Sequence, residues 1–222
     1  MVARIEKGLL IMKLNYKKIY DISMPITEEI PVWKGREEKR PKIHIVSDFE
    51  KGTVYESSIC LNMHTGTHLD RTLHMIPDGN RMNSLKLEEL ITECKVLDLT
   101  EVKEMISAEN LRRKEILPGE FILLKTRNSY DPILEKDFIF LEKSGAEYLA
   151  SIPVKGVGID ALGVERGQPG HTTHMALMAK GIHILEGLQL SDVREGRYQL
   201  IALPLNIPNA EAAPVRAVLL EE

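Results

Sequence analysis

Three histidines and an aspartate lie within eleven residues of this chain, and their spacing predicts a metal site. Residues 64–74 read His-Thr-Gly-Thr-His-Leu-Asp-Arg-Thr-Leu-His. Imidazole nitrogens and a carboxylate oxygen suit zinc and its first-row neighbours, and the H-x-x-x-H-x-D spacing lets His64, His68 and Asp70 converge from one short bend. Gly66 allows the backbone to turn tightly there. We therefore expect a hydrolytic metal centre at this segment.

The alternative for this segment is a hydrogen-bonded loop that carries surface imidazoles, since a single histidine is more often a structural group than a ligand. That alternative explains neither the spacing nor the embedded Thr-Gly-Thr at 65–67. Burying three such side chains without a cation would leave costly unpaired polar atoms. Metal ligation is the favoured interpretation.

His74 lies six residues beyond His68, and spacing alone leaves its role open. It could be a further ligand, a general base, or a group that orients Asp70. An imidazole titrates near neutral pH, which suits a group that carries a proton between the attacking water and a departing amine. We favour acid and base catalysis for His74.

His174 and Glu186 form a second pair of possible ligands, twelve residues apart. They fall at the start of a predicted helix and at the end of the strand that follows. The spacing alone is a weak signal, because Glu186 could simply be solvated.

The elements that must position these residues are of mixed type. Polar and apolar residues alternate over 42–48 and 55–63, which predicts two strands leading into the histidine segment, so that this segment would lie at a strand end. Helices and strands alternate in the second half, which is typical of an α/β arrangement. Trp33, the only tryptophan, falls on a connecting segment. An early strand followed by a loop is predicted over 16–26. Further strands are predicted over 95–99, 121–125, 156–160, 182–185, 198–203 and 215–219, with helices over 84–91 (capped by Asn83 or Ser84), 107–114, 143–150 and 172–181 (capped by threonine).

Length and composition predict one domain over residues 16–222 that binds a small molecule. A chain of 222 residues can bury a substantial core, and 43% hydrophobic with 28% charged residues is ordinary for a soluble globular protein. The net charge is only −4, with lysine and arginine scattered along the chain. Nucleic acid and anionic membranes are therefore poor candidates as partners.

Residues 1–15 are expected to be an N-terminal extension. A basic start followed by a short apolar run superficially resembles a signal peptide, but the run is too short and Glu6 and Lys13 lie beside it. Met12 could equally be a second start site. The two cysteines are too few for a disulfide framework, and no stretch is long enough to cross a bilayer, so a cytoplasmic location is expected.

Three motifs in the same order resemble the metal-dependent cyclase family, whose best-known members are bacterial kynurenine formamidases. Asp-Ile-Ser-Met-Pro-Ile at 21–26 with Pro-Val-Trp at 31–33 resembles its opening signature. Residues 64–74 resemble its H-T-G-T-H-x-D-x-x-x-H motif, and 174–188 its closing H-x-x-L-L-x-x-G-I-x-I-x-E-x-L block. The resemblance covers nearly the whole chain after residue 15. It implies a swivelling β/β/α domain in which a central barrel-like mixed sheet is flanked by helices.

The resemblance also implies roles for individual residues. His64, His68 and Asp70 would bind a first metal, and Asp70 would bridge to a second one completed by His174 and Glu186. One or two Zn²⁺ per chain are expected, with Mn²⁺ as the alternative, because this ligand set accommodates both. In the same comparison His74 would be the proton donor and acceptor. Trp33 would form an aromatic wall against a planar substrate, and a homodimer or homotetramer would bring loops near it to a neighbour's site.

Two positions depart from the pattern of that family. Arg71 and Thr72 stand where Ala-Pro is common, and Lys34 stands where a proline usually follows the tryptophan. Without a proline just before His74, the backbone has no fixed φ there and the base could be held less rigidly. Arg71 adds a cation near the metal ligands, where it could bind a substrate carboxylate or only pair with a surface acid.

The activity expected from these features is metal-dependent hydrolysis of a small amide. The resemblance makes an arylformamide the default substrate, with N-formyl-L-kynurenine giving L-kynurenine and formate, and leaves related cyclic amides open. No G-x-S-x-G or strand-linked G-x-G-x-x-G occurs, which argues against a serine hydrolase and a dinucleotide-dependent enzyme. Because residues 71–72 differ from the family's usual Ala-Pro, one alternative to an enzyme stays open: a non-catalytic family member that binds a small molecule with its metal.

Overall fold

The computed structural model describes residues 16–130 and 137–222, and its centre is a sheet closed into a ring of seven strands. The strands in chain order are β1 (Lys18–Asp21), β2 (Lys42–Ser47), β3 (Glu56–Cys60), β4 (His68–Asp70), β5 (Ile91–Asp98), β6 (Met105–Ile106), β7 (Phe121–Lys125), β8 (Phe140–Leu141), β9 (Gly156–Ile159), β10 (His183–Glu186), β11 (Gly196–Pro204) and β12 (Ala212–Glu221). The helices are α1 (Ala108–Arg112), α2 (Lys143–Ser151) and α3 (Thr172–Met178).

The short strand β4 closes the ring. The order is β12-β11-β5-β7-β9-β10-β4, and β4 pairs again with β12, while β1 lies on the outside of β12. Strands β5, β7, β9 and β10 run parallel, and the other pairings of the ring are antiparallel. Closure removes the exposed edges that an open sheet would carry. This mixed, barrel-like sheet with flanking helices confirms the predicted fold class.

The core forms two layers on opposite sides of the ring strands. Every residue of β7 is buried, as the apolar run Phe-Ile-Leu-Leu predicts for a strand covered on both faces. Ile122 and Leu124 pack with side chains of the helices, whereas Phe121 and Leu123 pack with those of β5, β11 and β12. Gly156 makes room for the ring of Phe121, because a Cβ there would lie 2.2 Å from Phe121 Cε2.

Most predicted elements are confirmed, and one helix is wrong. Residues 84–91 form no α-helix but two separate 3-10 turns, Met82–Ser84 and Leu87–Glu89, followed by β5. Met82 and Asn83, just before this segment, donate backbone hydrogen bonds to the carbonyls of residues 210 and 208. At its other end the carbonyl of Leu90 accepts from the amide of Ala202 and Ile91 pairs with Ile201, so the segment joins the sheet instead of continuing a helix. In α3 the cap is also not threonine: His171 precedes the helix with φ +50°.

Strands β2 and β3 form a hairpin outside the ring, where two predicted strands lie. Almost all of its side chains are exposed in the single chain, including several large apolar ones: Ile43, Ile45, Val46, Phe49, Val54, Tyr55 and Ile59. The predicted extension over residues 1–15 lies outside the described residues. None of the helices in the described ranges is long and apolar enough to cross a membrane.

Candidate metal centre

The closure of the ring places the predicted ligands from distant parts of the chain beside each other. In the pairing of β4 with β10, His68 lies directly opposite Glu186. Thr67 secures this junction, since its hydroxyl donates to the carbonyl of Gly187 (2.5 Å) and accepts from the amide of Met24 (2.8 Å). The threonine of the sequence motif therefore ties the two ligand-bearing strands together.

Asp70 lies at the centre of the cluster. Its Oδ1 is 3.1 Å from His64 Nδ1 and 3.6 Å from His68 Nε2. Its Oδ2 is 3.6 Å from Nε2 of His174, which comes from α3. The carboxylate thus faces three imidazoles, with its two oxygens directed toward different ones.

Glu186 completes the arrangement at the end of β10. Its Oε2 is 3.2 Å from His68 Nε2, and its Oε1 is 3.5 Å from His174 Nε2. The backbone amide of Val164 donates to Oε1 at 2.5 Å, which fixes the orientation of the carboxylate. All five predicted ligands therefore lie in one cluster.

The donor atoms of this cluster fit a cation, because they are buried without hydrogen-bond partners. Both oxygens of Asp70 and the Nε2 atoms of His68 and His174 make no hydrogen bond within the described chain. Buried polar atoms are normally satisfied, and leaving several together unpaired is costly. Imidazole nitrogens with carboxylate oxygens are also the ligands that zinc and its neighbours prefer.

The electrostatics of the cluster lead to the same conclusion. Burial alone would lower the pKa of His68, but Glu186 and Asp70 outweigh it and raise that pKa to about 9. Burial would raise the pKa of Asp70, yet the surrounding imidazoles hold it well below its usual range. The carboxylates of Asp70 and Glu186 are thus stabilised by nearby positive charge. A metal cation can supply that charge, and protonated imidazoles supply it otherwise.

Two imidazoles are oriented through their other ring nitrogen. His68 Nδ1 lies 2.8 Å from the carbonyl oxygen of Gly66, a residue with φ +60°. His174 Nδ1 lies 2.9 Å from Oε1 of Glu165, which is itself 2.7 Å from Nδ1 of His171. Such contacts fix the tautomer and aim the free nitrogen at a metal.

His74 lies beside the cluster, at the end of a 3-10 turn formed by residues 72–74. Its ring centroid is 4.2 Å from that of His64, and burial lowers its pKa. The turn is held without the family's proline, because Thr72 Oγ1 accepts a hydrogen bond from the amide of Asn80 at 2.6 Å. This hydrogen bond restrains the turn in place of the proline that is missing from this sequence.

A cavity of about 310 Å³ opens onto the cluster. Its lining residues include His64, His74, His174 and Glu186 on one side, with Trp33 and Lys39 among the others. The indole of Trp33 lies over Gly163, where a Cβ would be 2.7 Å from Cζ3 of the ring. Trp33 also packs edge-on against Phe138, with 5.9 Å between ring centroids. The structure therefore brings Trp33 together with the predicted ligands.

His68 and Asp70 lie behind the wall of this cavity rather than in its lining, whereas the side chain of Arg71 points away from the cluster altogether. Its guanidinium lies at the far end of β4, where it donates to the carbonyl of Arg81 (3.3 Å) and the hydroxyl of Ser84 (3.1 Å). The alternation of side chains along an extended segment separates it from the preceding Asp70. Lys34 adopts φ +56°, a conformation closed to proline, so this departure from the family pattern agrees with the local backbone.

Sequence analysis missed three residues of the site: Glu165, His171 and Lys39. Glu165 and His171 lie close to the predicted ligand His174 in sequence, and that proximity to a ligand was their only signal. Lys39 belongs to a charged segment whose composition is typical of an exposed surface. Its place in the cavity depends on the path of the chain after Trp33.

Comparisons with known proteins show which proteins this chain is similar to. The model of the Cyclase family ("Putative cyclase") matches residues 20–166. A kynurenine formamidase from Sphingopyxis alaskensis is 32% identical, with 92% of this chain and 98% of that protein covered. One from Salinibacter ruber is 33% identical, with 90% and 96% covered. A solved structure described as a potential metal-dependent hydrolase with cyclase activity is 42% identical and superposes with a TM-score of 0.87, covering 92% of this chain and 98% of the other.

Proposed function

Since the chain belongs to the Cyclase family, we propose that it is a metal-dependent amidohydrolase that cleaves the C–N bond of a small, non-peptide amide. The observation that carries this proposal is the set of buried, unpaired donor atoms of Asp70, His68 and His174, which lie together at the base of an open cavity that His174 lines. A cation there would be held by protein on one side and accessible to a small substrate on the other.

We assign the ligands as the sequence predicts. His64, His68 and Asp70 would hold a first cation, and Asp70, His174 and Glu186 a second. The two separate directions of the Asp70 oxygens support a bridging role. The ions would be Zn²⁺, one or two per chain, with Mn²⁺ as the alternative, because nitrogen and carboxylate ligands suit both.

The chemistry divides between the cation and the chain. When bound, a divalent cation lowers the pKa of water toward about 7 and polarises the attacked carbonyl. His74 supplies the proton transfer: its ring lines the cavity, and burial favours its neutral form, which accepts a proton. The imidazolium so formed then donates that proton to the departing nitrogen. Trp33 holds the planar part of the substrate against the opposite wall.

The substrate we propose is an arylformamide, with N-formyl-L-kynurenine giving L-kynurenine and formate. The curated relatives named above are kynurenine formamidases, and an aromatic wall at Trp33 suits an aryl group. Lys39, rather than Arg71, is the cation that lines the cavity and faces a substrate carboxylate. Small cyclic amides are the second class that such a cavity admits.

An activity screen tests the proposed function. The full chain, loaded with Zn²⁺ or Mn²⁺, is assayed with N-formyl-L-kynurenine and with a panel of other formamides, lactams and imides. We expect metal-dependent release of formate from the arylformamide. Retained metal without turnover on any member of the panel would favour the alternative, a non-catalytic protein that binds a small molecule with its metal.

Replacing Trp33 with alanine is expected to raise KM for the arylformamide about tenfold while kcat changes much less, because the ring contributes binding area and no proton transfer. Steady-state kinetics of W33A measure this split. W33F is the matched control, since it keeps an aromatic face and should keep most of the affinity. An unchanged KM in W33A would remove Trp33 from the substrate site.

Replacing Glu165 with glutamine is expected to lower metal affinity or kcat by about 10- to 100-fold, because the contact that orients His174 loses its charge. Metal competition with a chelator of known affinity, together with kcat, checks this result. H171Q is the control: His171 contacts the same carboxylate, but its side chain is 63% exposed and lies one step further from the ligands. Equal losses in both variants would assign Glu165 a general structural role.

We also propose a cytoplasmic homodimer or homotetramer. The apolar side chains of the β2–β3 hairpin support association, because monomers rarely leave such a patch exposed. The unpaired cysteines Cys60 and Cys94 agree with a reducing compartment. Light scattering during size-exclusion chromatography measures the assembly, and a monomer at micromolar concentration would contradict it.

A further inference from the structure

Arg71 is a buried cation without a carboxylate partner. Its relative exposure is 8%, and no Asp or Glu oxygen of the described residues lies within 4.0 Å of its guanidinium. Its hydrogen bonds go to the Arg81 carbonyl and the Ser84 hydroxyl, with His183 Nδ1 3.5 Å away. A guanidinium has five N–H donors, so at least two of them have no partner among these groups.

Arg71 lines a second cavity, which shares only Asp70 with the proposed metal centre; because the Asp70 side chain is fully buried, this residue borders the cavity with its backbone. The cavity has a volume of about 200 Å³ and lies between the end of β4, the end of α3 and the 3-10 turns at 82–89. A void of about 150 Å³ is enough to hold benzene, so this one has room for a small anion. We call it the Arg71 cavity; its polar lining includes Arg71, Thr72, Asn80, Ser84, Lys86 and His183, together with two acidic residues, Asp70 and Glu89.

The charges around the Arg71 cavity favour an anion. Lys86 adds a second cation to that of Arg71, and no ion pair of Lys86 occurs in the described part of the chain. Glu89 is the acidic side chain on this wall that acts on Arg71, but its carboxylate is engaged 2.9 Å from His183 Nε2 and is 42% exposed. Two cations thus lie beside two acidic residues: Glu89 already has a partner, and the side chain of Asp70 is fully buried among the imidazoles of the metal centre.

We propose that the Arg71 cavity binds a small oxyanion, either phosphate or a simple carboxylate, held by the guanidinium of Arg71 and the ammonium of Lys86. The planar fork of arginine matches two oxygens of either group, and charge-assisted hydrogen bonds of this kind are the stronger ones. Arg71 directly precedes the turn of residues 72–74, so a bound anion would stabilise the segment that carries the proposed base. The site does not depend on the proposed activity.

Isothermal titration calorimetry of the metal-loaded chain tests this site, with inorganic phosphate and sodium formate as separate probes at constant ionic strength. We expect saturable binding of at least one probe, and the preference between the two identifies the source of the oxyanion. R71A should weaken binding at least tenfold, and K86A several-fold. E89Q should tighten it several-fold, because it removes the competing carboxylate. R113A, which alters an exposed arginine on another surface, should change nothing.

Two results would overturn the proposal. The first is equal affinity in the original chain and in R71A, which would locate the anion elsewhere, including at the metal centre. The second is the absence of saturable binding of both probes in the original chain and in E89Q. If R71A does not fold by circular dichroism, R71K replaces it: the charge is kept and the fork is lost, and a several-fold weakening is expected.

Discussion

Replacing Asp70 with alanine is expected to abolish both metal retention and turnover, with a loss of more than about 10⁴-fold in kcat/KM, or about 5 kcal/mol of barrier. Asp70 contributes oxygens toward His64, His68 and His174 and is the one ligand that both proposed cation sites share. Removing it leaves each site one ligand short and takes away a negative charge that both cations need. Elemental analysis and steady-state kinetics of the same preparation measure the two losses together.

The stability of D70A adds a second, sharper expectation. In the metal-free protein the Asp70 carboxylate faces only imidazoles, which can release their extra protons when it is removed, so the variant should unfold at a temperature no more than a few degrees below that of the metal-free original. Metal addition should raise the melting temperature of the original chain and leave that of D70A unchanged. D137A, at an exposed carboxylate, is the matched control and should retain metal and activity. A D70A variant that keeps stoichiometric metal would refute the ligand assignment.

Replacing His74 with alanine is expected to lower kcat by about 10²- to 10⁴-fold while the metal content stays the same, because a positioned general acid and base contributes that much. The residue lines the cavity beside the ligands, and its backbone is held by the turn that Thr72 stabilises. Turnover and bound metal are measured on the same sample. This separation of activity from metal content distinguishes a proton carrier from a ligand.

H44A is the control for His74, since His44 is an exposed histidine on the β2–β3 hairpin. It should keep both metal and turnover. Loss of metal in H74A would instead make His74 a ligand, a role that its closeness to donor atoms of His64 and Asp70 allows geometrically. A fully active H74A would assign the proton transfer to another group.

The elements predicted best from the sequence are those whose conformation depends mainly on their own residues. The all-apolar run of β7 predicts a strand buried on both faces, and the structure confirms it. Residues 84–91 have helical spacing, but Leu90 and Ile91 pair with β11 at residues 201–202, which no local pattern reveals. The prediction of the family and of its mixed, closed sheet is also confirmed. It depends on three separate motifs that resemble those of the family.

The spacing of residues in the sequence predicts only part of the candidate site. His64, His68 and Asp70 are close in sequence, so their spacing alone predicts a cluster. His174 and Glu186 join this cluster only because β4 pairs with β10 in the closed ring. The twelve-residue spacing between these two residues does not predict that pairing. Arg71 shows the reverse: it is next to Asp70 in sequence, yet its side chain does not join the metal ligands and lines a second cavity instead, which Asp70 borders only with its backbone.

The most direct test of the central claim is the activity of the chain before and after metal removal. Elemental analysis of the purified protein should find one or two equivalents of zinc or manganese per chain. Exhaustive chelation should abolish hydrolysis of the arylformamide, and adding back Zn²⁺ or Mn²⁺ should restore it. A preparation that contains less than a tenth of an equivalent of any divalent metal and remains fully active would contradict the account.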